Sequence, residues 1–333
     1  MKKNLQKVLV LALGLTTTIA SAQFSANSTS RIDNTDSDDR SVTNRIALSA
    51  DYGAVHVSSD VYAASDNSAA SYEIYEAYAS TDLMGFGTLT VGRKDLSFGS
   101  GALISSNDWG LNRHCQNGVS LDANLGGFDV SIGSMGGVQY DAANYMNASG
   151  NFGGADVNIL MMNSGDAKAH GYDLSYAMNN FTISASMNSD YEGDEMTSYG
   201  LTYNVTDDLS ASFGRTSYGD SVDATGGNSG FNMANTSTSD GWASGNMGYL
   251  NSGDEATTMG VSYDLGDITL SYTMATVSNE DVEDDREVTI MSLGYALNDN
   301  CNLSMSRFSD SDLEDDLSGD DGERTYITIS IGL

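Results

Sequence analysis

Apolar residues recur at every second position along most of this chain. Ile46, Leu48, Ala50 and Tyr52 alternate with polar or small neighbours, as do Tyr172, Leu174, Tyr176 and Met178, and Ile327, Ile329, Ile331 and Leu333. A period of two gives an extended strand one apolar face and one polar face. The segments run to about ten residues, the length at which a tilted strand crosses the hydrocarbon of a bilayer. After Gln23 no apolar run reaches the ~18 residues of a spanning helix, so membrane residence requires a closed β-barrel. Short turn signals stand at Gly53, Met84-Gly85, Gly126-Gly127, Gly153-Gly154, Asn179-Asn180, 206–208, Gly266 and 298–300, with longer Asp-, Ser- and Asn-rich stretches between them. Short turns at one end and long loops at the other predict an all-β, transmembrane antiparallel β-barrel of 16–18 strands. The best count is 18, with 24–32 as the first strand and 323–333 as the last. A water-soluble sandwich shares the alternation but not this asymmetry of its connections.

The first residues carry Lys2, Lys3 and Lys7, then an apolar stretch over 8–20 and the small-residue site Ala20-Ser21-Ala22. That is the pattern of a secretory signal peptide over 1–22, with 23–333 as a single barrel domain. The formal net charge is −32, and there are three His, two Cys and no Pro. Such a polyanion repels phosphate backbones, which excludes nucleic acid as a partner. Two cysteines build neither a disulfide scaffold nor a four-thiolate zinc site; Cys115 and Cys301 fall at opposite ends of their strands, so no disulfide is expected. No nucleophile elbow, zinc-spaced His pair or Gly-rich phosphate loop is present, and no catalytic residue, resident metal or cofactor is expected.

The stretch GFGTLTVGR at 85–93, preceded by YEAYAS at 75–80, is similar to two neighbouring strands of the general bacterial outer-membrane porins, and NRIALSADYG at 44–53 resembles that family's second strand. The likeness covers roughly 40–125. It implies a diffusion channel in the outer membrane of a Gram-negative bacterium, assembled as a homotrimer. It further implies that 97–117 (SFGSGALISSNDWGLNRHCQN) folds inward as a constriction loop. Arg45 would then be a basic residue of the inner wall faced by this loop, in which Asp108 is the only acid, with Arg113 and His114 near it; the apolar ring of Trp109 suits an anchor of the loop to the wall. A weaker resemblance links FGSGALISSNDW to the glycine-rich loop of alginate-export-type channels. The chain departs from the porins in lacking a Pro-Glu-Phe-Gly-Gly loop signature, in ending on Leu333 and in its higher strand count.

Strand parity assigns the polar alternates to the lumen. Asp60, Asp122, Asp129, Asp156, Asp173, Asp264 and Asp51 then face inward against few bases, chiefly Arg45 and Lys94. Like charges along a water-filled tube favour their counter-ions, so a cation preference is expected. Arg93 has the parity of Leu89 and Val91 and should point outward. A turn at Met84-Gly85 sets Glu76 opposite it, a pairing that neutralises both charges and marks a candidate subunit contact. The acidic runs 280–285 and 310–323 suit loosely bound divalent cations bridging to lipopolysaccharide. The expected function is therefore passive diffusion of small hydrophilic solutes and ions. Two alternatives stay open: a substrate-specific channel, with lumen aromatics such as Tyr62 and Tyr140, and a structural or adhesive surface barrel.

Overall fold

The computed structural model describes residues 23–34, 40–64, 70–104, 115–136, 143–191, 193–219, 253–311 and 323–332. They form one antiparallel sheet of eighteen strands. In chain order these are β1 Gln23–Asn34, β2 Arg40–Tyr52, β3 Val55–Ala64, β4 Ser71–Asp82, β5 Thr88–Asp95, β6 Cys115–Leu125, β7 Phe128–Gly136, β8 Ala143–Phe152 and β9 Ala155–Ser164. The second half comprises β10 Ala167–Met178, β11 Phe181–Ser189, β12 Glu195–Asn204, β13 Leu209–Tyr218, β14 Glu255–Asp264, β15 Ile268–Ser278, β16 Arg286–Asn298, β17 Cys301–Asp310 and β18 Glu323–Gly332. Each strand pairs with its neighbours in sequence. β1 also pairs with β18, Ser28 opposite Ile331 and Ile32 opposite Ile327, so the sheet closes and no edge is left open. Closure is what satisfies every strand's backbone in a solvent that offers no hydrogen bonds. The expected count of eighteen is the observed one.

The eight connections at one end are tight. Two follow the same recipe: Gly126-Gly127 and Gly153-Gly154 have φ of 65° and 94°, and 63° and 93°. These left-handed values give hairpin turns whose twist matches the strands. An asparagine closes each turn, Asn124 accepting from the Gly127 N–H at 3.3 Å and Asn151 from the Gly154 N–H at 3.1 Å. The same asparagines donate across to Asp129 at 2.8 Å and Asp156 at 2.9 Å. At the opposite end the connections include 96–114, 219–254 and 311–322.

The wall has two faces of opposite character. Large apolar side chains such as Ile132, Met161, Ile183, Tyr199, Met259 and Met291 are exposed on the outside. An exposed apolar band of this extent on a closed sheet is a lipid-facing belt. Aromatics gather near the tight-turn end, among them Tyr52, Phe86, Phe152 and the stacked pair Phe181–Tyr203, whose centroids lie 4.5 Å apart. That is the headgroup position such rings favour.

One sequence expectation fails here by a single residue. The β4–β5 connection is a five-residue turn, with the Leu83 N–H donating to the Gly87 carbonyl at 2.8 Å and Met84 and Gly85 both at positive φ. Asp82 therefore pairs with Thr88, and the residue opposite Arg93 is Ala77, not Glu76. A second irregularity lies on the other side of β4. The register slips between Ser58–Glu76 and Ser59–Ile74, leaving Tyr75 as the extra residue of a bulge. A bulge re-aims the side chains beside it, and Tyr75 and Glu76 both line the lumen.

Candidate functional site: the charged lumen

The inner wall carries the site. Its larger cavity, about 940 Å³, runs along β6–β13 and is walled by hydroxyls, amides and four carboxylates, Asp122, Asp129, Asp156 and Asp173. No Lys or Arg is among the described residues lining it. Each carboxylate is held by neutral donors. Asp173 accepts from the Ser186 hydroxyl at 2.6 Å and from the Asn158 amide at 3.1 Å, and Asn147 donates onward to Asn158 at 2.7 Å. Among the described residues Lys94 pairs with Asp122, Nζ 4.0 Å from Oδ2. Donors of this kind fix the carboxylates in place without cancelling their charge, so the described lining of this cavity is acidic.

A second cavity of about 440 Å³ lies against β1–β4, and its charges are mixed. Arg45 reaches Asp60, NH2 to Oδ2 2.9 Å, and both side chains are largely buried. The Tyr62 hydroxyl donates to the same Asp60 oxygen at 3.5 Å, and the Arg45 guanidinium stands 5.8 Å from the Tyr62 ring centre. Glu76 accepts from the Asp95 N–H at 3.0 Å and from the Ser58 hydroxyl at 3.3 Å. It therefore ties β3, β4 and β5 together from inside the barrel. Arg93 shares the register face of Val91, but its Nε donates to the Tyr75 carbonyl at 2.9 Å and NH2 lies 3.5 Å from Glu73. The expected Glu76–Arg93 contact is thus replaced by Glu73–Arg93.

Residues 96–104 leave β5 and enter the lumen. Gly99 lies against Asp173 so closely that a Cβ there would sit 1.8 Å from Asp173 Oδ2, and its φ of +58° is one glycine adopts freely. The Ser100 and Ser186 hydroxyls are 3.0 Å apart. Next along the segment, Ala102, Leu103 and Ile104 are buried, together with Met135, Tyr145, Leu160, Met162 and Met196 of the wall. Phe98 packs beside them, 5.2 Å from the Tyr145 ring. This apolar inner patch escaped the parity reading. Its signal was the run Ile159-Leu160-Met161-Met162, in which both faces of β9 are apolar where one should be polar. Asp108, Trp109, Arg113 and Tyr140 lie outside the described residues, as does the 1–22 segment.

Arg45 and Asp60 line the smaller cavity and Asp122 and Asp173 the larger one, rather than facing one another across a single ring, and Lys94 reaches Asp122 from beside the larger cavity. Cys115 and Cys301 are free. Among the described residues no three His, Cys, Asp or Glu side chains converge to hold a metal ion.

A closed eighteen-stranded sheet with an apolar belt outside, a polar lumen and an inward-running segment defines the class: an outer-membrane β-barrel of porin architecture, the kind found in Gram-negative bacteria. No protein-family model and no curated protein matches the sequence. Solved structures match over nearly the whole chain. Acinetobacter baumannii OccAB3 superposes with a TM-score of 0.70 at 11% identity, over 95% of this chain and 100% of that one. Pseudomonas aeruginosa OpdK with vanillate gives 0.68 at 13% identity, over 95% and 99%. Pseudomonas aeruginosa OccK5 (OpdH) gives 0.67 at 11%, over 94% and 98%. At such identities the likeness is one of fold.

Proposed function

We propose that the chain is a passive outer-membrane channel for small hydrophilic solutes and ions, that it prefers cations, and that it performs no catalysis. The observation that carries the preference is the larger cavity, where Asp122, Asp129, Asp156 and Asp173 are hydrogen-bonded by neutral groups and no Lys or Arg lines the wall among the described residues. Fixed like charges on a water-filled tube concentrate counter-ions. Single-channel recording of the refolded protein in a planar bilayer under a salt gradient tests this. Ohmic openings with a cation-signed reversal potential are expected, and an anion-signed potential overturns the preference.

A substrate-specific channel is the second reading. It is favoured by the segment 96–104, which gives the lumen a shaped and partly apolar wall. The vanillate of the OpdK structure is a carboxylate, and a wall carrying Asp129, Asp156 and Asp173 on neutral donors, beside the Lys94-paired Asp122, is the wrong sign for such a ligand. A specific solute for this chain is accordingly neutral or cationic, and its signature is saturable block of the current. We further place the chain in a homotrimer, in line with the porin resemblance. The exposed run 280–285 would then hold divalent cations loosely against lipopolysaccharide. Chemical cross-linking in native outer membranes reads the oligomer directly.

A further inference from the structure

His56 is held between two carboxylates inside the smaller cavity. Its Nδ1 lies 2.7 Å from Asp51 Oδ1 on β2, and its Nε2 lies 3.3 Å from Glu76 Oε2 on β4. The ring stacks on Tyr78, with centroids 4.8 Å apart and planes 22° from parallel. The His56 side chain is only 16% exposed. Two features of the backbone build this arrangement. The tight β2–β3 turn sets Asp51 directly opposite His56. On the other side His56 pairs with Tyr78, three residues past the bulged Tyr75, which leaves Glu76 beside the ring on the lumen wall.

The protonation states are not equivalent in this setting. Nδ1 is hydrogen-bonded to Asp51, whereas Nε2 is buried within ion-pair distance of Glu76 and makes no hydrogen bond in this arrangement; a neutral imidazole has one N–H to offer the two carboxylates, and an imidazolium has two. Among the described residues, the other charged and titratable groups around the ring include Tyr78, which stacks on it, and Tyr75 of the same cavity wall. Arg45 of β2 and Asp60 of β3 line the same cavity and pair with each other. Lys94 of β5 stands over the Tyr78 ring at 6.0 Å. Histidine changes charge between pH 5 and 8, a range in which ordinary carboxylates stay ionised.

We propose that His56 is a proton-operated switch in the channel wall. As an imidazolium it bridges Asp51 and Glu76, ties β2 to β4 through β3 and makes the smaller cavity less negative by one charge. As a neutral ring it releases one carboxylate to the lumen. The consequence for permeation rests on the channel reading above; the bridge itself does not.

The test therefore has two arms, both on the refolded full-length barrel. Nitrogen-15 NMR of histidine-labelled protein in micelles, assigned with His56→Gln, follows the ring from pH 8 to pH 5. One protonated nitrogen should become two, with both N–H hydrogens slow to exchange. In planar bilayers, the cation-to-anion permeability ratio should fall about twofold over the same interval and stay flat in His56→Gln. Glu76→Gln, which removes one carboxylate but little volume, should leave the second ring N–H exchanging rapidly with water, and it serves if His56→Gln fails to refold. A ring that keeps one protonation state throughout overturns the proposal, as does an equal permeability shift in His56→Gln. A bridging imidazolium in a membrane that never conducts upholds the bridge and fails only the channel reading.

Discussion

Arg45 and Asp60 form an ion pair across β2 and β3 inside the lumen, NH2 to Oδ2 2.9 Å, with 11% and 5% of their side chains exposed. Truncating one member of such a pair strands the other, at a cost that reaches about 3–5 kcal/mol in a dry interior. The lumen is open to water at this cavity, so Asp60→Asn should lower stability by about 1–3 kcal/mol. Urea unfolding followed by tryptophan fluorescence measures it. Arg45→Ala removes the positive member and should raise the cation-to-anion permeability ratio.

Asp129 and Asp156 test the origin of selectivity with little structural disturbance. Each is the partner of a turn asparagine, Asn124 or Asn151, at the rim of the larger cavity. The double variant Asp129→Asn, Asp156→Asn keeps shape and an acceptor oxygen while removing two charges. Barrel folding, read by heat-modifiable gel mobility, should be unchanged and the permeability ratio should fall. An unchanged ratio would mean that these carboxylates only solvate the rim.

The placement of 96–104 inside the lumen depends on Gly99. An alanine Cβ would collide with Asp173 Oδ2 and with Asn158 Nδ2, both side chains that are themselves hydrogen-bonded in place. Positive φ adds roughly 1–2 kcal/mol for any L side chain. Gly99→Ala should lift the segment off the wall between β9 and β11, and single-channel recording should show a larger, noisier conductance.

The barrel was legible because lipid on one side and water on the other impose period two on most spanning strands, so the pattern of Ile46 to Tyr52 recurs around the wall except where β9 is apolar on both faces. Parity also placed Asp60, Asp122, Asp129, Asp156 and Asp173 on the lumen. It misplaced Glu76 because parity carries no information about loop length or bulges. A five-residue turn at Leu83–Gly87 and one extra residue at Tyr75 were enough to exchange its expected partner Arg93 for His56 and Ser58. The inner apolar patch was missed for a related reason. Leu160, Met162 and Met196 answer to a segment more than fifty residues earlier in sequence, and no local period encodes that contact.

Tyr191 gives a pH signature outside the spanning strands. It lies in the short β11–β12 connection and packs against the inner apolar patch. Burial pushes its hydroxyl up to about 12. A raised folded-state value means that the neutral phenol stabilises the fold fully below the ordinary tyrosine value of ~10. That contribution is then lost as pH climbs toward 12. Difference absorbance between wild type and Tyr191→Phe should show one tyrosinate forming late, and the alkaline loss of stability should be smaller in the variant.

Leu103 tests how firmly the inward segment is held. It is 3% exposed, and its Cδ1 lies against Gly171 of β10, where the absence of a side chain makes room for it. Truncating a buried leucine to alanine costs about 2–5 kcal/mol where the cavity does not collapse. Here that loss falls on the contact between segment and wall, because the closed ladder of backbone hydrogen bonds that holds the barrel does not involve Leu103. Leu103→Ala should therefore leave the global urea midpoint nearly unchanged while making 97–104 accessible to limited proteolysis. A large fall in the global midpoint with the segment still protected would show instead that the inner patch is part of the barrel's own cooperative core.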